Sequence, residues 1–133
     1  MKYRKLFLLI GAFLFLTSQT VEEPVMTKEK DVTVINTTTL ATDIEGYVGC
    51  TPMKVYIKGD KVLRVEALEN EETPKYFDLM VSKGLLKKWN GMPVKTAEKC
   101  KVDAVTGATV SSEAVIENVR RGISYYIYAN KKK

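Results

Sequence analysis

Histidine is missing from this sequence of 133 residues. Its absence excludes zinc sites that use histidine, Ser-His and Cys-His nucleophile pairs, and the heme-attachment run C-x-x-C-H. Long apolar runs are missing as well, since none approaches the roughly 18 residues that indicate a membrane-spanning helix. Many familiar classes of enzyme and of heme protein are therefore excluded.

Cysteine is scarce. Cys50 and Cys100 are far apart in the chain and form no C-x-x-C pair, so we expect no metal site. In an exported chain they could close a disulfide, and the alternative is two free, half-buried thiols. The length allows one domain with one core, and 45% apolar with 28% charged residues indicate a small globular protein.

The first 20 residues have the layout of a secretory signal. Three basic residues among the first five precede an apolar run at 6–16 and a small polar stretch at 17–20. This order predicts a signal peptide or, if it is not cleaved, an N-terminal anchor; a buried helix of the fold is the alternative. Cysteine is absent near residue 20, which argues against lipid attachment there. We therefore expect an exported protein, in the periplasm or at the outer face of the cytoplasmic membrane.

The net charge of +5 is unevenly distributed. The N-terminal segment and the lysine tail at 131–133 supply the excess, so the body of the chain is close to neutral. Basic residues form no stripe interleaved with aromatics, and we expect no nucleic-acid partner. Residues 21–43 mix glutamate, lysine and threonine, a composition that we interpret as a tether with a possible strand at 32–35.

The middle of the chain has the pattern of a β-hairpin. Apolar and polar residues alternate from 53 to 58, Gly59-Asp60 follows as a turn signal, and alternation resumes from 61 to 69. The segments near 44–50 and 101–105 are interpreted as further strands of the same sheet.

Apolar residues at helical spacing predict two helices, at 74–83 and 111–129, the first capped by Thr73. Trp89 is interpreted as a core residue. Together these elements predict an α+β fold in which two helices pack on a small antiparallel sheet.

A cluster of small and hydroxyl-bearing residues lies just before the last predicted helix, in the run Asp103-Ala104-Val105-Thr106-Gly107-Ala108-Thr109-Val110-Ser111-Ser112. Gly107 and Ala108 allow another group to approach the backbone closely. The unpaired N–H groups and the positive dipole end of a helix favour an anion such as phosphate. Ordinary capping of the helix by Ser111 or Ser112 is the alternative.

The run at 103–109 matches the pattern D-x-x-[S/T]-G-A-T and in this way resembles the FMN-binding domain family, whose members carry FMN covalently in sodium-pumping and related electron-transport complexes. The segments Gly46-Tyr47-Val48-Gly49 and Glu72-Thr73-Pro74 look like two further elements of that family. The family often has histidine shortly before the second element, where this chain has Asn70-Glu71. The resemblance implies an FMN-binding domain at 44–130.

The resemblance also implies a role for each motif residue. Thr109 is the acceptor of a phosphodiester to FMN, installed by a separate flavin transferase that recognises Asp103. The residues implied to shape the phosphate and ribityl seat are Thr106, Gly107, Ala108, Ser111 and Ser112, and Glu72 and Thr73 are implied to lie near the flavin.

The implied function is that of a bacterial flavoprotein that carries electrons in the cell envelope, from a membrane-bound donor to an envelope acceptor, with no catalytic residue of its own. Two alternatives remain open: an FMN-dependent reductase of a specific small molecule, and a cofactor-free exported interaction module.

Overall fold

A computed structural model describes residues 22–131. The predicted signal or anchor at 1–20 lies outside the described residues. Within them, no helix is both long enough and apolar enough to cross a membrane. The elements in chain order are β1 Met26–Glu29, β2 Val32–Asn36, β3 Met53–Lys58, β4 Lys61–Ala67, α1 Pro74–Ser82, a 3-10 turn Leu85–Lys87, α2 Val94–Lys99 and α3 Thr109–Lys131. The fold is α+β, as predicted.

The four strands form one antiparallel sheet in the order β1-β2-β3-β4. Along β3 the buried side chains of Met53, Val55 and Ile57 alternate with more exposed ones, so one face of the sheet carries the core. Gly59 and Asp60 connect β3 to β4, both with a φ of +57°. Positive φ at both central residues is typical of a type I′ hairpin turn, and the predicted hairpin is confirmed.

The first half of the sheet comes from residues that were interpreted as a tether. Strand β2 pairs with β3 from Val32–Lys58 to Asn36–Lys54, and Val34 and Ile35 are buried in the core. The possible strand at 32–35 is confirmed, and the tether interpretation is wrong for residues 26–36. Burial of two branched side chains against β3 outweighs the polar composition around them.

Two predicted strands do not join the sheet. The segment at 44–50 makes one isolated bridge, between Glu45 and Cys50, and the segment at 101–105 has no regular secondary structure. Both thiols are free: Cys50 is exposed and Cys100 is half-buried. The structure therefore shows the free-thiol alternative in place of a disulfide.

The predicted helix at 74–83 is present as α1, and Gly84 follows it with a φ of +80°. Trp89 is 2% exposed, which confirms its place in the core. The sequence did not predict α2. This helix of six residues begins directly after Pro93 and buries Val94 and Ala97. Its brevity leaves too few apolar positions for helical spacing to be recognised.

Helix α3 packs against the sheet, and this packing fixes the position of its first turn. A Cβ atom at Gly122 would lie 3.2 Å from Cγ2 of Thr37, which directly follows β2, and 3.4 Å from Cγ2 of Val55 on β3, so the helix and the sheet approach closely at this glycine. Four residues earlier in the chain, buried Asn118 donates to the oxygens of Thr51 and Ala114 and accepts from the Thr37 hydroxyl at 2.8 Å. Satisfied polar contacts in a core specify one arrangement of the packed elements.

The far end of α3 is tied to the β3–β4 turn. The Tyr126 hydroxyl donates to Asp60 Oδ1 at 2.6 Å. Burial and then this hydrogen bond raise the pKa of Tyr126 to about 12. Because an unfolded tyrosine titrates at about 10, the stabilising contribution of this group is complete below about pH 10 and is lost as the pH rises towards 12.

The pH dependence of a Tyr126→Phe variant tests this contact. At neutral pH the wild type should exceed the variant in free energy of unfolding by about 1 kcal/mol, because the variant lacks the hydrogen bond to Asp60. Between about pH 9 and pH 11 the difference should shrink by about 1 kcal/mol. Urea unfolding measures both values. A difference that stays constant or grows over this range would contradict the raised pKa.

Candidate functional site

The turn at 105–108 joins an irregular segment to α3. The backbone N–H of Ala108 donates to the carbonyl of Val105 at 3.0 Å, and Gly107 has a φ of +90°. An L side chain is strained in that region, which explains the glycine. Helix α3 begins at Thr109, two residues before the predicted start. Because the helix begins there, Ser111 and Ser112 lie inside it, and the alternative that they are its N-caps is wrong.

Ser112 clamps the turn to the helix. Its hydroxyl donates to the Ala108 carbonyl at 2.6 Å and accepts from the Val105 backbone N–H at 3.1 Å. The residue is fully buried. The structure therefore gives the Ser112 hydroxyl two bonds within the protein, both of which hold the turn in place.

The first turn of α3 presents free hydrogen-bond donors. Among the described residues, the backbone N–H groups of Thr109, Val110 and Ser111 have no acceptor. Ala108 precedes the helix, and its methyl group cannot accept a bond as a serine or aspartate cap does. Thr109 is exposed on this turn. Free N–H groups at the positive end of a long helix form a site for an anion, next to an available hydroxyl.

An open cleft of about 320 Å³ adjoins this turn. We call it the tyrosine cleft, since two aromatic rings form one of its sides. The rings of Tyr47 and Tyr76 meet edge to face, with centroids 6.0 Å apart and an interplanar angle of 67°. Tyr47 remains 66% exposed. The residues that line the cleft are Tyr47, Tyr76, Gly107, Ala108, Thr109, Val110 and Ser111.

Glu72 organises the loop that carries Tyr47. Its carboxylate accepts from the backbone N–H groups of Tyr47 at 2.8 Å and Val48 at 2.9 Å. The side chain is 5% exposed. A Cβ atom at Gly46 would lie 1.6 Å from Glu72 Oε1, so glycine is required there. The loop at 46–49 is therefore shaped around this carboxylate.

Residues 70–74 place α1 beside that loop. The Asn70 side chain accepts from the Glu72 backbone N–H at 3.1 Å, as in an Asx turn. The Thr73 carbonyl accepts from the N–H groups of Tyr76 and Phe77, both at 3.0 Å, and Pro74 occupies the first helical position. Thr73 is therefore the N-cap residue of α1, as predicted, but its side chain makes no capping hydrogen bond. Tyr76 lines the cleft one turn later.

Asp103 and Thr106 lie elsewhere. Both line a separate, larger cleft of about 620 Å³, together with Lys83, Lys88 and Lys101. The structure thus brings Gly107, Ala108, Thr109 and Ser111 to the lining of the tyrosine cleft. Ser112 and Glu72 are buried and hold lining segments in place without lining the cleft themselves. Sequence reasoning overlooked Tyr76. Its position three residues after Thr73, on the first turn of a helix, was the available signal.

Comparison with known protein families identifies a domain in this chain. The sequence model of the FMN-binding domain matches residues 46–124, more than half of the chain. The chain belongs to the FMN-binding domain family. A search of curated proteins finds no match.

FMN combines a phosphate, a ribityl chain and a flat ring, and the groups around the tyrosine cleft suit the phosphate and the ring. The free N–H groups of the α3 first turn suit the phosphate. Gly107 has no side chain and leaves its backbone accessible to the phosphate, and Tyr47 and Tyr76 offer aromatic surface to the ring. The protein is an FMN-binding domain protein and hence a flavoprotein.

A Ser112→Ala variant tests the clamp on the turn. Loss of the hydroxyl leaves the Val105 N–H without its acceptor, and we expect the free energy of unfolding to fall by about 1–2 kcal/mol. Ser111→Ala is the matched control, because Ser111 is likewise buried, at 2% exposure, but no hydrogen bond joins its side chain to the turn in the described part of the chain. That control should lose clearly less free energy of unfolding than Ser112→Ala does. Equal losses in urea unfolding of the two variants would refute the clamp.

Proposed function

We propose that this protein is exported, carries FMN covalently as a phosphodiester on Thr109, and transfers electrons in the bacterial cell envelope. The observation that carries the proposal is the position of Thr109. Thr109 is exposed on the first turn of α3, beside free N–H donors, and it borders the cleft that the two tyrosines line.

Attachment at Thr109 requires a hydroxyl that a second protein can reach. In the step we propose, the Thr109 Oγ–P bond forms while the phosphoanhydride bond of an activated FMN donor breaks. The nucleoside monophosphate leaves with the bonding electron pair, and the hydroxyl proton passes to a base of a magnesium-dependent flavin transferase. The free N–H groups of Thr109, Val110 and Ser111 favour the negative phosphate that remains on the helix.

Electron transfer follows from the cofactor, since a bound flavin can accept one or two electrons. The protein contributes the site that holds the flavin. Tyr47 and Tyr76 support the ring, and the cleft is open, with Tyr47 66% and Val110 49% exposed at its border. An open border lets a donor and an acceptor approach the same cofactor in turn.

Export would explain why the flavin is attached covalently. Residues 1–20 have the layout of a signal peptide or anchor, and a protein outside the cytoplasm cannot readily replace a lost flavin. We propose a location in the periplasm or at the outer face of the cytoplasmic membrane. There a membrane-bound donor supplies the electrons and an envelope acceptor receives them.

Paired threonine variants test the attachment site. Thr109→Val keeps the branched shape and removes the hydroxyl, so the fold should survive while covalent FMN disappears. Thr106→Val makes the same change at the other threonine of the motif; because Thr106 lines the other cleft, we expect this variant to keep its FMN, in contrast to the place in the phosphate seat that the resemblance implied. Each variant is co-expressed with a flavin transferase and fully denatured. Flavin fluorescence of the protein band and the intact mass then report the covalent cofactor.

Each alternative has its own result in this experiment. FMN retained through denaturation on the Thr109→Val protein would refute the assignment of the acceptor. A wild-type protein without flavin after co-expression would favour a cofactor-free interaction module. Rapid turnover of a single small molecule by the reduced, loaded protein would favour a substrate-specific reductase over a carrier.

A further inference from the structure

We propose that Glu72 is a positioning residue for the flavin. It holds the loop at 46–49 so that Tyr47 stands against Tyr76 as one wall of the tyrosine cleft, and it does not touch the flavin itself. This inference rests on the proposed function, in that it places the flavin in that cleft.

The contacts of the carboxylate support an indirect role. Oε1 accepts from the Tyr47 N–H and Oε2 from the Val48 N–H, so each oxygen is engaged by the loop backbone. The side chain is 5% exposed and does not belong to the lining of the cleft. Hydrogen bonds from backbone N–H groups to a buried carboxylate are among the stronger ones in proteins. The Glu72 carboxylate therefore holds the backbone of the loop at 46–49 in place.

The two glycines of the loop differ in a way that isolates the effect. A Cβ atom at Gly46 would lie 1.6 Å from Glu72 Oε1, whereas a Cβ atom at Gly49 would have no neighbour within 4 Å. The Gly46 N–H also donates to the Gly49 carbonyl at 2.7 Å and closes the loop. Gly46 thus makes room for the carboxylate, and Gly49 does not.

The same segment places the second tyrosine. Glu72 directly precedes Thr73, whose carbonyl accepts from the N–H groups of the first turn of α1, including that of Tyr76. One residue therefore connects the loop of Tyr47 to the helix of Tyr76. The edge-to-face contact of the two rings depends on this connection.

The first measurement follows the loop without any cofactor. Chymotrypsin cleaves after tyrosine, and cleavage after Tyr47 in the full chain reports how often the loop opens. Glu72→Gln places an amide group against the loop N–H groups, and Gly46→Ala displaces the carboxylate. Both should speed this cleavage by about tenfold. The controls Glu71→Gln and Gly49→Ala make the same changes one and three residues away and should cleave at the wild-type rate.

The second measurement follows the flavin of protein loaded by the transferase. Flavin fluorescence should rise in both variants. Glu72→Gln moves the Tyr47 ring away from the flavin, and Tyr47→Leu deletes that ring. In the double variant the two changes should not add, since Glu72 acts through Tyr47. Attachment to Thr109 should persist in all three. Gly46→Ala disturbs the contact while keeping Glu72, so the test survives if Glu72→Gln does not fold.

Three results would overturn the inference. One is cleavage after Tyr47 at the wild-type rate in both Glu72→Gln and Gly46→Ala. Another is a fluorescence change in Glu72→Gln that adds fully to that of Tyr47→Leu, which means direct contact of the carboxylate with the flavin. The third is the absence of FMN from every protein, including the wild type, which also marks failure of the proposed function.

Discussion

Three backbone N–H groups at the start of α3, which have no acceptor among the described residues, are the feature on which the candidate site depends. Such donors favour an anion, and a long helix adds its dipole to them. They serve a function here because they are held in place: Ser112 fastens the preceding turn to the helix, and the close approach at Gly122 fixes the helix on the sheet. Tertiary packing thus determines where these free donors lie.

The second half of the site comes from a different part of the chain. The loop at 46–49 and the start of α1 are more than 20 residues apart in sequence, and the Glu72 carboxylate brings them together. Their meeting places two tyrosine rings beside the α3 turn. The free N–H donors and the aromatic surface of the candidate site therefore come from separate segments. All of these segments lie within residues 46–124, which match the FMN-binding domain.

Local patterns were enough to predict the elements with clear periodicity, whereas the motif residues were identified through the resemblance to the family. The hairpin at Gly59-Asp60, helix α1 and the buried Trp89 follow from alternation, spacing and turn chemistry. Strand β1 could not be predicted, because its side chains are mostly exposed and backbone pairing with β2 holds it. The role of Glu72 escaped prediction for a related reason. A glutamate in a polar stretch does not show that loop N–H groups from a distant segment will surround it. The sequence likewise does not show that the turn at 105–108 directs Thr106 and Thr109 towards different clefts.

The central claim is that Thr109 carries the flavin in the living cell. The measurement that tests it most directly is mass spectrometry of the tryptic peptide 102–120, prepared from protein isolated from the envelope of its native host. This peptide contains Thr106, Thr109, Ser111 and Ser112, so fragmentation distinguishes among the hydroxyls. We expect the mass of one FMN less one water, localised to Thr109. An unmodified peptide, or FMN on another of these residues, would contradict the account.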